Sequence, residues 1–415
     1  MSIAFRLPLR PFLRRSAPSS EKRVLLVRDD VIGDLLVPTS AVVHWLLAQG
    51  YDVYLVLRKD LMDIGELLLP RDRLLPVDIR LYRSSLGYRL GFLQSLRKIG
   101  FSYALGSTIH SSVNDDIVRS SGASHRWGYK RYNKLKENFR LRGIRKVISL
   151  PLLSANGQEY TSVVAHERHF LETAFKTTIS PENFGARLHE TAVARLMGDD
   201  AFANNLSEVG GFQLGGECCQ ANGEKNTRQL NCQTQESPTQ TNQKKGKSDL
   251  AELDNLRQKG GYIHYLAEAG AVKRVFPPKR MLPLLFQVAD TVGMKVVITG
   301  LKRQEVEDNR CINLTGQTTL PQVLAIVGNA SLVVGNESGL THLAWILGKR
   351  TALFYGGGHW GRFRPTGDTL LLNVPCEYHC CDWKCHYEAL PVPCVNLKDE
   401  QVLQRLSDYA HGGNP

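Results

Sequence analysis

The sequence predicts an α/β protein with two doubly wound domains that face a cleft. Two stretches of the chain, 22–190 and 259–398, each alternate short apolar strands with amphipathic helices. This alternation indicates parallel strands joined by crossover helices. A chain of 415 residues with 42% hydrophobic content is long and apolar enough to build a core in each stretch.

The first stretch opens with a strand at 23–28, RVLLVR, which leads through the loop DDVIGD into a helix expected at about 34–46. Short apolar runs predict the strands, and apolar residues spaced by three and four predict the helices. Further strands are expected at 51–57, 73–77 and 103–109, and further helices at 90–99 and 163–175. The basic and aromatic segment 122–132, GASHRWGYKRY, is expected to be a loop.

The second stretch repeats the alternation. Strands are expected at 262–266, 295–299, 311–314, 331–334 and 351–355, and helices at 281–292, 320–327 and 340–347. The remainder, 399–415, carries a terminal helix at 399–410 and a tail.

The two stretches are joined by a linker, 191–258, of unusual composition. Its part 215–247 is mostly Gln, Asn, Thr, Lys and Gly, with almost no large apolar residues. Such a segment buries too little apolar surface to offset the entropy lost on ordering. We therefore expect a disordered insertion there.

The net charge of +12 calls for an acidic partner. The leader 1–21 alternates Arg with apolar residues, a pattern that fits contact with an anionic membrane surface. A flexible basic leader is the alternative, since Pro8 and Pro11 interrupt any helix. No recognition motif supports a nucleic-acid partner. No run approaches the roughly 18 apolar residues of a membrane span, so cytoplasmic residence is expected.

A candidate ligand site lies in 333–349, VVGNESGLTHLAWILGK, which is predicted as a strand, a polar loop and a helix. Open α/β sheets bind ligands in the crevice beyond the carboxyl ends of their strands. The alternative is an ordinary capped helix, with Ser338 as the cap and His342 packed in the core. The candidate residues are Glu337, Ser338, Gly339, Thr341 and His342.

Two more loops carry charged residues at predicted strand ends. In DDVIGD, Asp34 follows Gly33 at the start of a helix, where it can cap the helix or accept a proton from a reacting hydroxyl. In AEAGAVKRVFPPKR, Lys273 and Arg274 follow Gly270 just before a helix. Cations beside free backbone amides suit a diphosphate group, and a solvated basic loop is the alternative.

The segment 376–394 holds five of the nine cysteines. Soft ligands in such number can hold a structural zinc ion or an iron–sulfur cluster, whereas free or paired thiols are the simpler interpretation. The five cysteines are Cys376, Cys380, Cys381, Cys385 and Cys394.

Four motifs together resemble the ADP-heptose:lipopolysaccharide heptosyltransferases, glycosyltransferase family 9. They are VLLVRDDVIGD, SGASHRWGY, IHYLAEAGAVKRVFPPKR and GNASLVVGNESGLTHLAWILGKRTALFYG, in this order along 22–397. The resemblance implies the GT-B fold, an N-terminal acceptor domain at 22–190 and a nucleotide-sugar domain at 259–398. It also implies an inverting transfer that needs neither a metal nor a cofactor.

The resemblance assigns roles residue by residue. Asp34 would be the general base, Lys273 would neutralise the donor phosphates, and Glu337 would contact the donor sugar or ribose. The other expected donor-binding residues are Gly270, Arg274, Ser338, Gly339, Thr341 and His342. The expected acceptor-binding residues are Arg28, Gly33 and Arg126.

The resemblance implies transfer of heptose from ADP-heptose to a lipopolysaccharide-core or related surface-glycan acceptor. The enzyme would then work in the cytoplasm, with peripheral contact at the inner membrane. Family members more commonly have Asp in place of Glu337, so another nucleotide-sugar is an alternative. A non-catalytic nucleotide- or glycan-binding protein is the alternative from a different functional class.

Overall fold

Two parallel six-stranded sheets form the framework of the protein. The structure is a computed structural model that describes residues 20–108, 111–130, 141–153, 156–198 and 252–414, together with Leu13 and Ala17. The insertion expected at 215–247 and nearly all of the leader 1–21 lie outside the described residues. Within the part of the chain that the structure describes, no helix combines the length and apolar character needed to cross a bilayer.

The first sheet has the strand order β3-β2-β1-β4-β5-β6. Its strands are β1 Ser20–Val27, β2 Asp52–Arg58, β3 Leu74–Val77, β4 Phe101–Gly106, β5 His125–Lys130 and β6 Arg145–Ile148. The helix α1 follows β1 and has three parts, Ile32–Asp34, a π-helical turn Leu35–Thr39, and Ser40–Ala48. The other helices of this domain are α2 Met62–Gly65, α3 Ile79–Ser84, α4 Leu86–Ile99, α5 Ser112–Ser120, α6 Val163–Phe175 and α7 Glu190–Met197.

The second sheet has the order β12-β11-β10-β7-β8-β9. Its strands are β7 Tyr262–Leu266, β8 Lys295–Thr299, β9 Cys311–Asn313, β10 Leu332–Asn336, β11 Arg350–Phe354 and β12 Thr369–Leu372. Its helices are α8 Pro278–Val292, α9 Leu320–Asn329, α10 Gly339–Ile346 and α11 Asp399–Ala410. The predicted fold class is confirmed, and β7, β8, α6 and α11 have the predicted bounds.

The expected loop at 122–132 is wrong, because its middle forms β5. Trp127, Gly128 and Tyr129 are buried in this strand, and the hydroxyl of Tyr129 donates a hydrogen bond to the carbonyl of His166 on α6. A Cβ at Gly128 would lie 3.1 Å from a Leu141 side-chain atom, so the packing around this strand is tight. The basic residues at both ends of the segment led to the prediction of a loop, although the residues between them form a buried strand.

The two domains are packed together where α1 meets α10. A Cβ on Gly339 would lie 2.6 Å from the Ile32 side chain and 2.8 Å from the backbone nitrogen of Gly33. One continuous apolar cluster includes Leu35 and Leu36 of α1 and Leu343 of α10. The two helix starts therefore face each other across a narrow space, and this space is called the interdomain cleft below.

Replacing Gly339 by Ala should lower the free energy of unfolding by about 1–3 kcal/mol, since overpacking forces the neighbouring backbone to move. Chemical denaturation measures this difference. The control is Gly87→Ala on α4, where a Cβ meets nothing within 4 Å; it should be neutral or stabilise by up to about 1 kcal/mol. Equal stability of the two variants would contradict a tight contact at Gly339.

Candidate active site at the interdomain cleft

Asp34 lies in the first turn of α1 and faces the second domain. Its Oδ1 is 3.6 Å from Nη2 of Arg362, which follows β11. Burial raises the pKa of Asp34, and so does the neighbouring carboxylate of Asp30, whereas Arg362, Arg28 and Arg274 oppose the rise. A carboxylate whose pKa is raised holds an accepted proton more firmly, which suits a general base.

Pro38 explains how the backbone of Asp34 is held. In a regular helix the carbonyl of Asp34 would accept from the amide of residue 38, but proline has no N–H to donate. Instead, Arg28 Nη2 and Thr39 Oγ1 donate to this carbonyl at 3.3 Å and 3.2 Å. The π-helical turn at Leu35–Thr39 thus stands beside the candidate base.

Arg28 itself is 3% exposed. Its guanidinium donates to Ser107 at 2.7 Å and to Glu167 at 2.9 Å, besides pairing with Asp30 at 3.3 Å. This buried position favours a role in positioning α1 over the expected direct contact with an acceptor. The expected acceptor roles of Gly33 and Arg126 stay predictions. Gly33 lies where α1 contacts α10. Arg126 pairs with Ala104 of β4 within the first sheet.

Hydrogen bonds to the side chain of Asn336 hold the basic loop that follows β7. Asn336, at the end of β10, accepts from the Phe276 amide at 2.9 Å and donates to the Ala267 carbonyl at 3.0 Å. Between these anchors, Lys273 and Arg274 lie on a 3₁₀ turn. Gly270 sits in open space, where a Cβ would meet nothing within 4 Å. No close approach requires glycine there, and its donor-binding role stays a prediction.

Glu337 is the most unusual residue of the interdomain cleft. It is fully buried, and neither carboxyl oxygen has a hydrogen-bond partner among the described residues. Burial raises its pKa to about 7, although Arg274 and Arg362 act in the opposite direction. Buried carboxyl groups without hydrogen-bond partners are costly and rare, so Glu337 is a candidate functional residue.

The residues after Glu337 shape the start of α10. Ser338 is the N-cap and accepts from the Thr341 amide at 3.4 Å, while Thr341 Oγ1 donates to the Asn336 carbonyl at 2.7 Å. His342 accepts at Nδ1 from Trp345 Nε1 at 3.1 Å and stacks on Phe363. Burial lowers the pKa of His342 to about 3, so it is neutral and packs as the capped-helix alternative expects.

Two residues of the site were missed in the sequence, Arg362 and Trp383. Arg274 lies over the Trp383 ring at 5.1 Å, and this ring occupies the space that a Cβ on Gly358 would need. Arg362 follows β11, the neighbour of β10 in the sheet, whereas Trp383 follows β12. The three glycines at 356–358 and the basic GRFR that follows were the available signal, because they stand at a strand's carboxyl end.

The cysteine segment forms a cluster of free thiols. Cys376 and Cys385 pack against the buried cluster of Val392, Cys394 and Val395, and burial raises the pKa of Cys394 to about 11. Burial also raises the pKa values of Cys380 and Cys381. Across the described ranges, no group of three or more His, Cys, Asp or Glu residues is arranged to hold a metal ion. The metal and thiol interpretations of the segment both stay predictions.

Solved structures with the same architecture include three bacterial proteins. E. coli ADP-heptose lps heptosyltransferase II matches with a TM-score of 0.60 and 14% identity, over 94% of this chain and 98% of that chain. E. coli heptosyltransferase WaaC with ADP matches with a TM-score of 0.57 and 15% identity, over 93% and 99%. A glycosyl transferase family 9 structure from Veillonella parvula DSM 2008 matches with a TM-score of 0.60 and 14% identity, over 95% and 99%.

These likenesses establish the fold, which is that of the GT-B heptosyltransferases. No curated protein sequence matches the chain. Residues 226–388 match the model of Glycosyltransferase family 9 (heptosyltransferase). The family-model match covers less than half of the chain, and it identifies this part as similar to a family 9 glycosyltransferase.

The raised pKa of Glu337 gives a prediction about stability. Its usual value is 4.5, and in the folded protein it is about 7. The folded state therefore binds this proton more tightly, so the stabilisation is complete below about pH 4.5 and is lost as the pH rises through about 7. The loss amounts to about 3 kcal/mol at most. The variant Glu337→Gln has no carboxyl group to ionise at this position, so it does not lose this stability as the pH rises.

Relative to wild type, Glu337→Gln should thus gain up to about 3 kcal/mol in free energy of unfolding between about pH 5 and pH 8. Chemical denaturation at both pH values measures it. Glu400→Gln, an exposed carboxyl on α11, is the matched control and should show no such gain. A Glu337→Gln difference that does not change with pH would rule out the raised pKa.

Proposed function

We propose that the protein transfers a sugar from a nucleotide-sugar donor to a hydroxyl group of a glycan acceptor, by an inverting displacement that requires no metal ion. The observation that carries this proposal is the meeting of a carboxylate and cations from different domains. Asp34 of the first domain lies 3.6 Å from Arg362 of the second and in the field of Arg274. A proton acceptor and groups suited to a diphosphate thus share the interdomain cleft.

The reaction would proceed in one displacement. Asp34 accepts the proton of the acceptor hydroxyl, and the oxygen attacks the anomeric carbon from the face opposite the diphosphate. The bond between that carbon and the diphosphate oxygen breaks, and the nucleoside diphosphate leaves with the electron pair. Because attack and departure occur on opposite faces, the configuration at the anomeric carbon inverts. Lys273 and Arg274 stabilise the negative charge that develops on the leaving group, in the place of a metal ion.

The donor is proposed to be ADP-heptose. Two of the solved structures with this fold are described with ADP or with ADP-2-deoxy-2-fluoro heptose. Glu337 supports a polyhydroxylated donor, because two buried and unpartnered oxygens can each accept from a sugar hydroxyl. The start of α10 directs backbone amides to the same space, which suits the phosphates.

The acceptor is proposed to be a lipopolysaccharide-core or related surface glycan, reached from the cytoplasmic face of the inner membrane. This part rests on the family resemblance and on the basic leader 1–21. The expected membrane contact falls on residues that the structure does not describe and stays a prediction.

Asp34→Asn should lower kcat by about 10²–10⁴-fold, because the amide cannot accept the hydroxyl proton. Binding of the nucleoside diphosphate should persist, which separates loss of chemistry from loss of fold. Asp60→Asn is the matched control, since Asp60 is 61% exposed and pairs with Arg58 away from the interdomain cleft. Turnover by Asp34→Asn at the wild-type rate would refute the assignment of the base.

A panel of nucleoside diphosphates tests the donor. ADP at about 100 times its Kd should stabilise the folded protein by about 2.7 kcal/mol, seen as a higher Tm. UDP and GDP at the same concentration should shift the Tm less. If only UDP or GDP raises the Tm, the ADP assignment fails while transfer from another nucleotide-sugar stands. If none raises it, the protein does not use a nucleotide-sugar.

A further inference from the structure

Arg362 belongs to a loop that bridges the two domains. Its backbone carbonyl accepts from the Val163 amide at the start of α6, at 2.9 Å, and the Trp360 carbonyl accepts from the Tyr160 amide at 2.6 Å. The Gly361 position between them leaves no room for a side chain, since a Cβ would lie 2.8 Å from the Tyr160 carbonyl. The Arg362 backbone is therefore fixed to the first domain, although the residue belongs to the second.

The side chain of Arg362 is held much less firmly. Nη2 is 3.6 Å from the Asp34 carboxylate, well beyond the roughly 2.7–2.9 Å of a strong Arg–carboxylate hydrogen bond. Nε is buried and has no hydrogen-bond partner among the described residues. Because the side chain is 33% exposed, solvent weakens this pair further. The guanidinium thus has unused donors beside both Asp34 and the buried Glu337.

We infer that Arg362 is shared between the candidate base and the donor, pairing with Asp34 in the empty protein and turning to the donor diphosphate when the nucleotide binds. This inference rests on the proposed function. A planar guanidinium with two parallel donors matches a phosphate better than a single long contact to a carboxylate. Donor binding then frees Asp34 from its partner at the moment when a base is needed.

The exchange has a consequence for protons. Losing Arg362 as a partner raises the pKa of Asp34, so Asp34 takes up a fraction of a proton when the diphosphate binds near that pKa, while the fraction that stays ionised is the stronger base. Other charged and titratable groups in the region also bear on the pKa of Asp34. Asp30 and Arg28 lie on its own side, Arg274 faces it from the second domain, Glu167 and the neutral His166 lie on α6, and the neutral His342 lies on α10.

Calorimetry of ADP binding in buffers of different ionisation enthalpy measures the protons taken up. The uptake that depends on Asp34 is the difference between wild type and Asp34→Asn, which removes any contribution from Glu337. In the Arg362→Gln background, that difference should fall to less than about half of its wild-type size. ADP affinity should fall by about 10- to 100-fold, as expected for loss of a charged hydrogen bond.

Arg364→Gln is the matched control, because Arg364 is two residues away, 71% exposed and 3.8 Å from Glu159. It should bind ADP with wild-type affinity and proton uptake. Arg362→Lys keeps the positive charge but lacks the paired N–H donors of a guanidinium. It should recover part of the ADP affinity that Arg362→Gln loses, which separates loss of a ligand contact from a folding defect.

The outcomes distinguish the two levels of the argument. If ADP binds and Arg362→Gln retains the wild-type Asp34-dependent uptake, the sharing of Arg362 is wrong while the proposed function stands. Unchanged ADP affinity in Arg362→Gln has the same meaning. If ADP fails to bind and UDP or GDP raises the Tm instead, the same titrations use that diphosphate. If no diphosphate binds, the proposed function itself fails, and this inference fails with it.

Discussion

The close contact between the starts of α1 and α10 determines the chemistry of the whole interdomain cleft. Gly339 lets the Ile32 side chain and the Gly33 backbone approach within a distance that no other residue permits. Burial is the largest cause of the raised pKa of both Asp34 and Glu337, although the Asp34 side chain keeps 28% of its surface exposed. The positive charges of Arg274 and Arg362 oppose the rise at both carboxyl groups.

Preorganisation of the candidate base, Asp34, depends on the residues around its backbone carbonyl. Pro38 cannot donate to the Asp34 carbonyl, and the side chains of Arg28 and Thr39 donate to it. Arg28 can do so only because Glu167 on α6 and Ser107 hold its guanidinium from the other side. The orientation of Asp34 is thus fixed by a buried network, so little reorganisation is needed when charge develops in the interdomain cleft.

The sequence was sufficient where local pattern and topology agree. Alternating apolar runs predict the two sheets, and the rule that ligands bind at the carboxyl ends of strands leads directly to Asp34, Arg274 and Glu337. It was insufficient where a residue's place depends on distant packing. Arg362 reaches the site because residues 356–361 fold against Trp383 and Tyr160, and no periodicity records such contacts. The short edge strands β6 and β12 also escaped prediction, although the equally short edge strands β3 and β9 were predicted.

In the proposed function, the burial of Glu337 would contribute to selectivity for the donor. A carboxyl group with two unpartnered oxygens in a dry site penalises any ligand that lacks hydroxyl donors, because such a ligand leaves the buried group unsatisfied. Sites built in this way discriminate far more strongly than apolar pockets of similar size. The additional methylene of Glu, compared with the Asp that family members more commonly have here, moves these oxygens further along the side chain. In the proposed donor complex, the hydroxyls that satisfy these oxygens would lie at a correspondingly different depth.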